Sequence, residues 1–125
     1  MRSHAASRLM NQAPYELDTV RRDIVRKAIE SVCGYRRWQL SAVHVRTNHV
    51  HVVVSAEERP EKVMTDFKCY ASRALGDSQK HWSRHGSTRY LWNRESINAA
   101  IRYVAEGQGE PMALFVQSRD GHGAV

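Results

Sequence analysis

The sequence predicts an α+β sandwich, a single antiparallel sheet with helices mainly on one face. Three observations carry that expectation. Residues 38–55, WQLSAVHVRTNHVHVVVS, alternate and are rich in Val, as two strands joined by a tight turn are. Three other stretches repeat their apolar residues at helical rather than strand spacing. The order, roughly (β)-α-β-β-α-β-α-β, interleaves the two element types along 125 residues. That length supports one domain and one core but not a second.

The elements follow in order. Residues 1–15 are weakly patterned, and the sequence assigns them at most an edge strand; residues 117–125 are weakly patterned too. Leu17, Val20, Ile24, Ala28 and Val32 predict a helix from about Thr19 to Cys33, with Asp18 as N-cap and Gly34 just past its end. In the hairpin, Thr47-Asn48 is the turn-like dipeptide. An even-length loop there pairs His44 with His51 and Val43 with Val52. Val43, Val45, Val50, Val52 and Val54 then share a face that helices can cover, while Leu40, Ala42, His44, His49 and His51 take the other. A second helix runs from Pro60 to about Leu75 on the stripe Val63, Phe67, Tyr70, Ala71, Ala74, ended by Gly76. Residues 78–94 read as a polar loop, with a short strand at Arg89–Trp92. A third helix spans about Glu95 to Glu106 on Ile97, Ile101 and Val104, stopped by Gly107 and Gly109. Met112 to Val116 forms a last strand.

Charge narrows the partners. The formal net charge is +6, which favours polyanions and chiefly nucleic acid. The two cysteines, Cys33 and Cys69, form no CxxC pair and both fall in helical stretches, so no disulfide is expected. No apolar run is long enough to span a membrane, and Met1 to Met10 lacks a signal-peptide core. These features predict a soluble intracellular protein with no membrane partner.

Three features bear on chemistry. His49 and His51 lie two residues apart on a strand, so both imidazoles point the same way from bases about 7 Å apart and can converge on one ion. A solvated strand face carrying two histidines would have the same sequence. Tyr103 lies about 200° around its helix from Ile101, at about 100° per residue, away from the apolar stripe and among small neighbours. That suits a phenol presented to a substrate, and equally a surface tyrosine. Of the five tyrosines, Tyr70 is the rival on a helix, but it belongs to a core stripe. Residues 78–94 contain no acidic residue and interleave Lys80, Arg84, Arg89 and Arg94 with Trp82, Tyr90 and Trp92. Guanidinium groups track phosphates and indoles stack on bases, and one Trp is expected to anchor the segment to the core. Arg84, Arg89, Arg94 and Trp92, with Lys68 and Arg73, are the predicted nucleic-acid contacts. His44, beside His51, is expected to act behind the metal ligands or on a phosphate, or else to be an exposed strand histidine.

Taken together, Asn-His-hydrophobic-His on a Val-rich strand, a helix bearing Lys68, then Tyr90-Leu91-Trp92, then a helix bearing Tyr103, resemble the HUH single-tyrosine transposases, including the REP-associated tyrosine transposases. The resemblance runs from about Ala5 to Phe115. It implies a ferredoxin-like antiparallel sheet of HUH type, occupying residues 1–125 as a single domain. It implies metal-dependent cleavage and rejoining of single-stranded, hairpin-forming DNA through a 5′-phosphotyrosine. His49 and His51 fall on the family's metal-binding histidines and Tyr103 on its nucleophile. It also implies a homodimer, in some members with Tyr and His from different subunits, and a bacterial cytoplasmic setting, at the nucleoid when on DNA. Two positions depart from the pattern. Arg46-Thr47 replaces the usual Met-Pro before the Asn, and Gly107 stands where a polar ligand commonly follows the nucleophile by four residues. Gln108, or failing it Glu106, is the candidate third ligand, in a site for a hard ion, Mg²⁺ or Mn²⁺, since no thiolate is near. Two rivals keep the same residues: a domesticated, non-cleaving nucleic-acid-binding module of the same fold, and a metal-dependent hydrolase with no tyrosine intermediate.

Overall fold

The structure, a computed structural model, describes residues 2–12 and 15–117. Its elements are β1 (Ser3–Asn11), α1 (Thr19–Arg36), β2 (Gln39–Val45), β3 (His49–Ala56), α2 (Pro60–Leu75), β4 (Trp82–Leu91), α3 (Arg94–Glu106) and β5 (Ala113–Val116). The five strands form one sheet in the order β4-β1-β3-β2-β5, with neighbouring strands antiparallel. Helices α1 and α2 cover one face over a core of Leu9, Val43, Val45, Val50, Val52, Val54, Ile29, Val32 and Phe67. Helix α3 packs on the other face, alone among the described helices, where Ala100 and Val104 meet Ala42, Val53 and Leu91. The α+β sandwich with helices mainly on one face is therefore as expected.

The hairpin register is also as expected, with His44 opposite His51 and Val43 opposite Val52. One residue changes face. A register shift between Leu40 and Ala42 sets Leu40 opposite Val54, so Leu40 joins the α1–α2 core rather than the histidine face.

β1 is not an edge strand. It lies inside the sheet between β4 and β3, along almost the whole length of both. Its alternation is real but carried by small residues: Ala5, Ser7, Leu9 and Asn11 are buried, and Arg8 is exposed between them. Ala and Ser give little β signal, which is why the sequence shows the strand weakly. β4 is also longer than expected, ten residues in place of a short strand after a loop. Ladder bonds to β1 hold it, and Gly86 permits the close approach: a Cβ there would sit 2.8 Å from the Arg8 carbonyl oxygen.

α1 begins where predicted, with the Asp18 carboxylate accepting from the Arg21 N–H at 2.8 Å. It does not stop at Gly34. The left-handed residue is Arg37, φ 62°, and the N–H of buried Trp38 closes the helix end on the Cys33 carbonyl at 2.9 Å. The buried stripe is Val25, Ala28, Ile29, Val32 and Cys33, one residue around from the expected one, so Val20 is exposed. α2 buries Val63, Phe67 and Ala71 and ends at Gly76 in the left-handed region as predicted, although Ala74 is exposed. Tyr70 packs against the core, as a stripe residue should. Both cysteines are free thiols, Cys33 buried and Cys69 exposed. Among the described residues no helix is long and apolar enough to cross a membrane.

Candidate active site

The period of β3 puts His49 and His51 on the face covered by α3. Their rings meet edge to face with centroids 4.8 Å apart. His49 is oriented from the turn: its Nδ1–H donates to the Asn48 side-chain oxygen at 2.7 Å, which leaves Nε2 as the free lone pair. Burial, then the Arg8 and Arg46 charges, lowers the pKa of His49. Burial, then His49 and Arg8, pushes that of His51 down to about 4. Both rings are therefore neutral at neutral pH, the form that binds a metal.

Helix α3 delivers Tyr103 to the same place. It starts at Asn93, whose side chain accepts from the Ser96 N–H at 2.7 Å, and it packs on the sheet through Ala100 and Val104. Tyr103 points off that stripe and stays 55% exposed, yet its ring stands 5.7 Å from the His51 ring, edge to face. Gly107 follows one turn later. A Cβ at that position would lie 2.8 Å from Tyr103 Cδ1, so the glycine gives the tyrosine ring its room. Gln108 then donates from Nε2 to the Val104 carbonyl at 3.3 Å, while its Oε1 is buried and has no hydrogen-bond partner. Glu106 is exposed and borders an adjoining shallow depression with Arg102 and Tyr103 but not the histidines, leaving Gln108 as the candidate on the histidine side.

These groups line one cleft of about 930 Å³ that includes Arg8, Arg46, His49, His51, Tyr103 and Gln108. Among the described residues no carboxylate lines it. Among the described residues no third His, Cys, Asp or Glu joins the two histidines as a metal cluster. The donor set on offer is thus two neutral imidazoles and an orphan amide oxygen, all acceptable to a hard divalent ion.

His44 is neither exposed nor within reach of a phosphate. It is 1% exposed; its Nδ1–H donates to the Val104 carbonyl at 3.2 Å and its Nε2 accepts from the Met112 N–H at 2.9 Å. It faces α3 because α3 lies on the histidine face, and it ties β2 to the helix end and the loop that carry Tyr103 and Gln108.

A comparison of the sequence with protein families decides the kinship. The family described as "Transposase IS200 like" matches residues 4–102. This chain belongs to the IS200-like transposase family. The matched stretch holds both histidines and ends one residue before Tyr103, so the tyrosine's part rests on the geometry above. Among solved structures, the IS200-like chain resembles a REP-associated tyrosine transposase bound to a REP hairpin, with a TM-score of 0.67 at 17% identity. The similarity covers 82% of this chain and 64% of that one, so the chain spans under two thirds of that relative's length. It also resembles a Deinococcus radiodurans R1 protein described as a transposase, with a TM-score of 0.54 at 12% identity, covering 86% and 92% of the two chains. These likenesses show the fold. No curated protein sequence matches the chain.

The expected nucleic-acid residues divide between the two faces of the IS200-like sheet. Arg89 lines the cleft, next to Ser87 and Thr88. Lys68 and Arg73 belong to α2, on the opposite face: Lys68 Nζ donates to the Ser83 carbonyl at 3.1 Å and the Arg73 guanidinium stacks over the Tyr70 ring. Arg84 and Arg94 are exposed but line no part of the cleft. Trp82 is the anchoring indole, donating to Ser72 Oγ at 3.0 Å, whereas Trp92 is 81% exposed and stacked on Tyr90. Sequence reasoning missed Arg8, Arg46 and Asn48. For Asn48 a signal existed, because a residue adjoining a candidate ligand histidine can orient it; strand alternation already puts Arg46 on the face of His44, and only Arg8 needed the sheet order.

Proposed function

We propose that this chain cuts and rejoins single-stranded DNA through a covalent 5′-phosphotyrosine, with Tyr103 as nucleophile and His49, His51 and Gln108 as ligands of a divalent ion. The observation that carries the reading is the Tyr103 ring standing edge-on to His51 in the cleft that both line. Nucleophile and histidines come from one chain, so the reading is of a site complete in cis; in a homodimer each copy would carry its own.

The orphaned Gln108 Oε1 and the neutral imidazoles fit a hard ion, Mg²⁺ or Mn²⁺. Such an ion, when bound, neutralises charge on the scissile phosphate. The rest is work for side chains. The Tyr103 phenol gives up its proton and Oη attacks phosphorus in line. The Oη–P bond forms, the P–O3′ bond breaks, and the leaving oxygen takes a proton to become a free 3′-OH. Attack by a 3′-OH on the phosphotyrosine reverses the step and joins strands. Phosphodiester energy is kept in the intermediate, so no nucleotide cofactor enters. A hairpin-bearing substrate is suggested by the hairpin bound to the REP-associated relative.

The test is a denaturing gel of the protein incubated with Mn²⁺ and a single-stranded hairpin oligonucleotide. A protein–DNA adduct that Tyr103→Phe loses supports the reading. Free cleaved product without adduct means a hydrolase using the same histidines. A mobility shift without cleavage means a binding module, and either result overturns it.

A further inference from the structure

Besides Arg46, the cleft holds two cations that this mechanism has not used, Arg8 and Arg89; Arg89 stands opposite Ala6, two residues along β1, and of the two only Arg8 acts by its charge on the histidines. Arg8 lies opposite His51 in the β1–β3 ladder and opposite Ser87 in the β1–β4 ladder. Ladder partners share a face, with Cβ atoms roughly 5 Å apart, so Arg8 stands on the histidine side of the sheet. It is exposed, it lines the cleft with Tyr103, and its charge acts on both histidines. Its guanidinium is also free. Among the described residues none makes a hydrogen bond or ion pair with that group, whereas Arg46, the neighbouring cation, donates to the Glu110 carbonyl at 2.7 Å and abuts His44.

A planar guanidinium that has no counter-ion among the described residues is a receptor for an oxyanion, and its fork matches two phosphate oxygens. We infer that Arg8 is a catalytic residue whose guanidinium holds the non-bridging oxygens of the scissile phosphate. It stabilises the charge gathered on those oxygens as the Tyr103 Oη–P bond forms and the P–O3′ bond breaks. The inference rests on Tyr103 being the nucleophile. Arg46 is less available, because its Nη1 already donates to the Glu110 carbonyl in the loop before β5.

The experiment compares wild type, Arg8→Ala and Arg8→Lys with Mn²⁺ and a saturating hairpin oligonucleotide. One oligonucleotide carries an ordinary scissile phosphodiester; a second carries a methylphosphonate there, which removes one non-bridging charge. Arg8→Ala is expected to slow adduct formation on the phosphodiester by about 100-fold, as loss of one preorganised transition-state donor does. Arg8→Lys should fall between, since a point charge replaces the fork. On the methylphosphonate the gap between Arg8→Ala and wild type should narrow. Melting temperatures check that both variants fold, and Arg8→Lys keeps the test open if Arg8→Ala does not. The inference is overturned if Arg8→Ala matches wild type, if its deficit vanishes at saturating DNA, or if the deficit is equal on both substrates. A wild-type protein that forms no adduct on the phosphodiester overturns the Tyr103 reading itself, and this one with it.

Discussion

The Tyr103 ring meets the His51 imidazole edge to face, with centroids 5.7 Å apart and planes at 79°. A helix on one side of the cleft and a strand on the other are thereby joined through the two side chains proposed as nucleophile and metal ligand. Tyr103→Phe keeps that aromatic contact and removes a single oxygen from a side chain that is 55% exposed. Urea denaturation should show stability within about 0.5 kcal/mol of wild type. Calorimetric Mn²⁺ binding should be unchanged, while adduct formation ends. Persistent adduct in this variant would assign the nucleophile to another tyrosine.

The histidines should report their metal site by deletion. His49→Ala and His51→Ala each remove a proposed ligand and are expected to abolish calorimetric Mn²⁺ binding. Asn48→Ala only frees the His49 ring from the 2.7 Å hydrogen bond that fixes it. Its expected cost is about 10- to 100-fold in Mn²⁺ affinity. An Asn48→Ala protein with undiminished affinity would show that the hydrogen bond orients nothing of consequence.

Gly107 is predicted to tolerate no side chain. Gly107→Ala brings a Cβ to 2.8 Å from Tyr103 Cδ1 and 2.9 Å from the Tyr103 carbonyl oxygen. Moving the ring by even about 1 Å can cost about 100-fold in rate, so adduct formation should fall by that order while Mn²⁺ affinity holds. Gly107→Gln, which restores a polar side chain at that position, should be impaired too. Wild-type rates in Gly107→Ala would mean the ring has room to spare.

His44→Ala addresses the strut behind the site. It empties a buried ring's space and leaves the Met112 N–H without its acceptor. The lost hydrogen bond costs about 1 kcal/mol and the lost packing of the ring about 2 kcal/mol, so a total of about 3 kcal/mol is expected from urea denaturation. A change under about 1 kcal/mol would mean that the helix end is held by other contacts.

Stability should depend on pH through His51. Its folded pKa is lowered to about 4 from an ordinary 6.5, so between those values the unfolded chain binds more protons than the folded one. Stability from this group is fully present above about pH 6.5 and is lost as the pH falls toward 4. His51→Asn should flatten that part of the profile in urea titrations from pH 7 to 4. An equally steep profile in the variant would assign the dependence to other groups.

What the sequence determined is what a segment's own pitch can fix. Two-residue periodicity puts His49 and His51 on one face and the valines on the other wherever the strand lies. Thr47-Asn48 allows one register, and His44 does sit opposite His51. Tyr103 had to leave its helix's apolar stripe, and Asp18 and Gly76 mark helix ends by their own backbone chemistry. The tertiary structure decided the rest, because it depends on neighbours remote in sequence. β1 carries its alternation in Ala and Ser, so only ladders to β3 and β4 make it an interior strand and bring Arg8 beside His51. Likewise, nothing in the third helix says which face of the sheet it will cover. That choice buries His44, stands Tyr103 over His51, and turns Gln108 into the cleft; it is made by Ala100 and Val104 packing on Ala42, Val53 and Leu91, a surface that three different strands must assemble before any helix can recognise it.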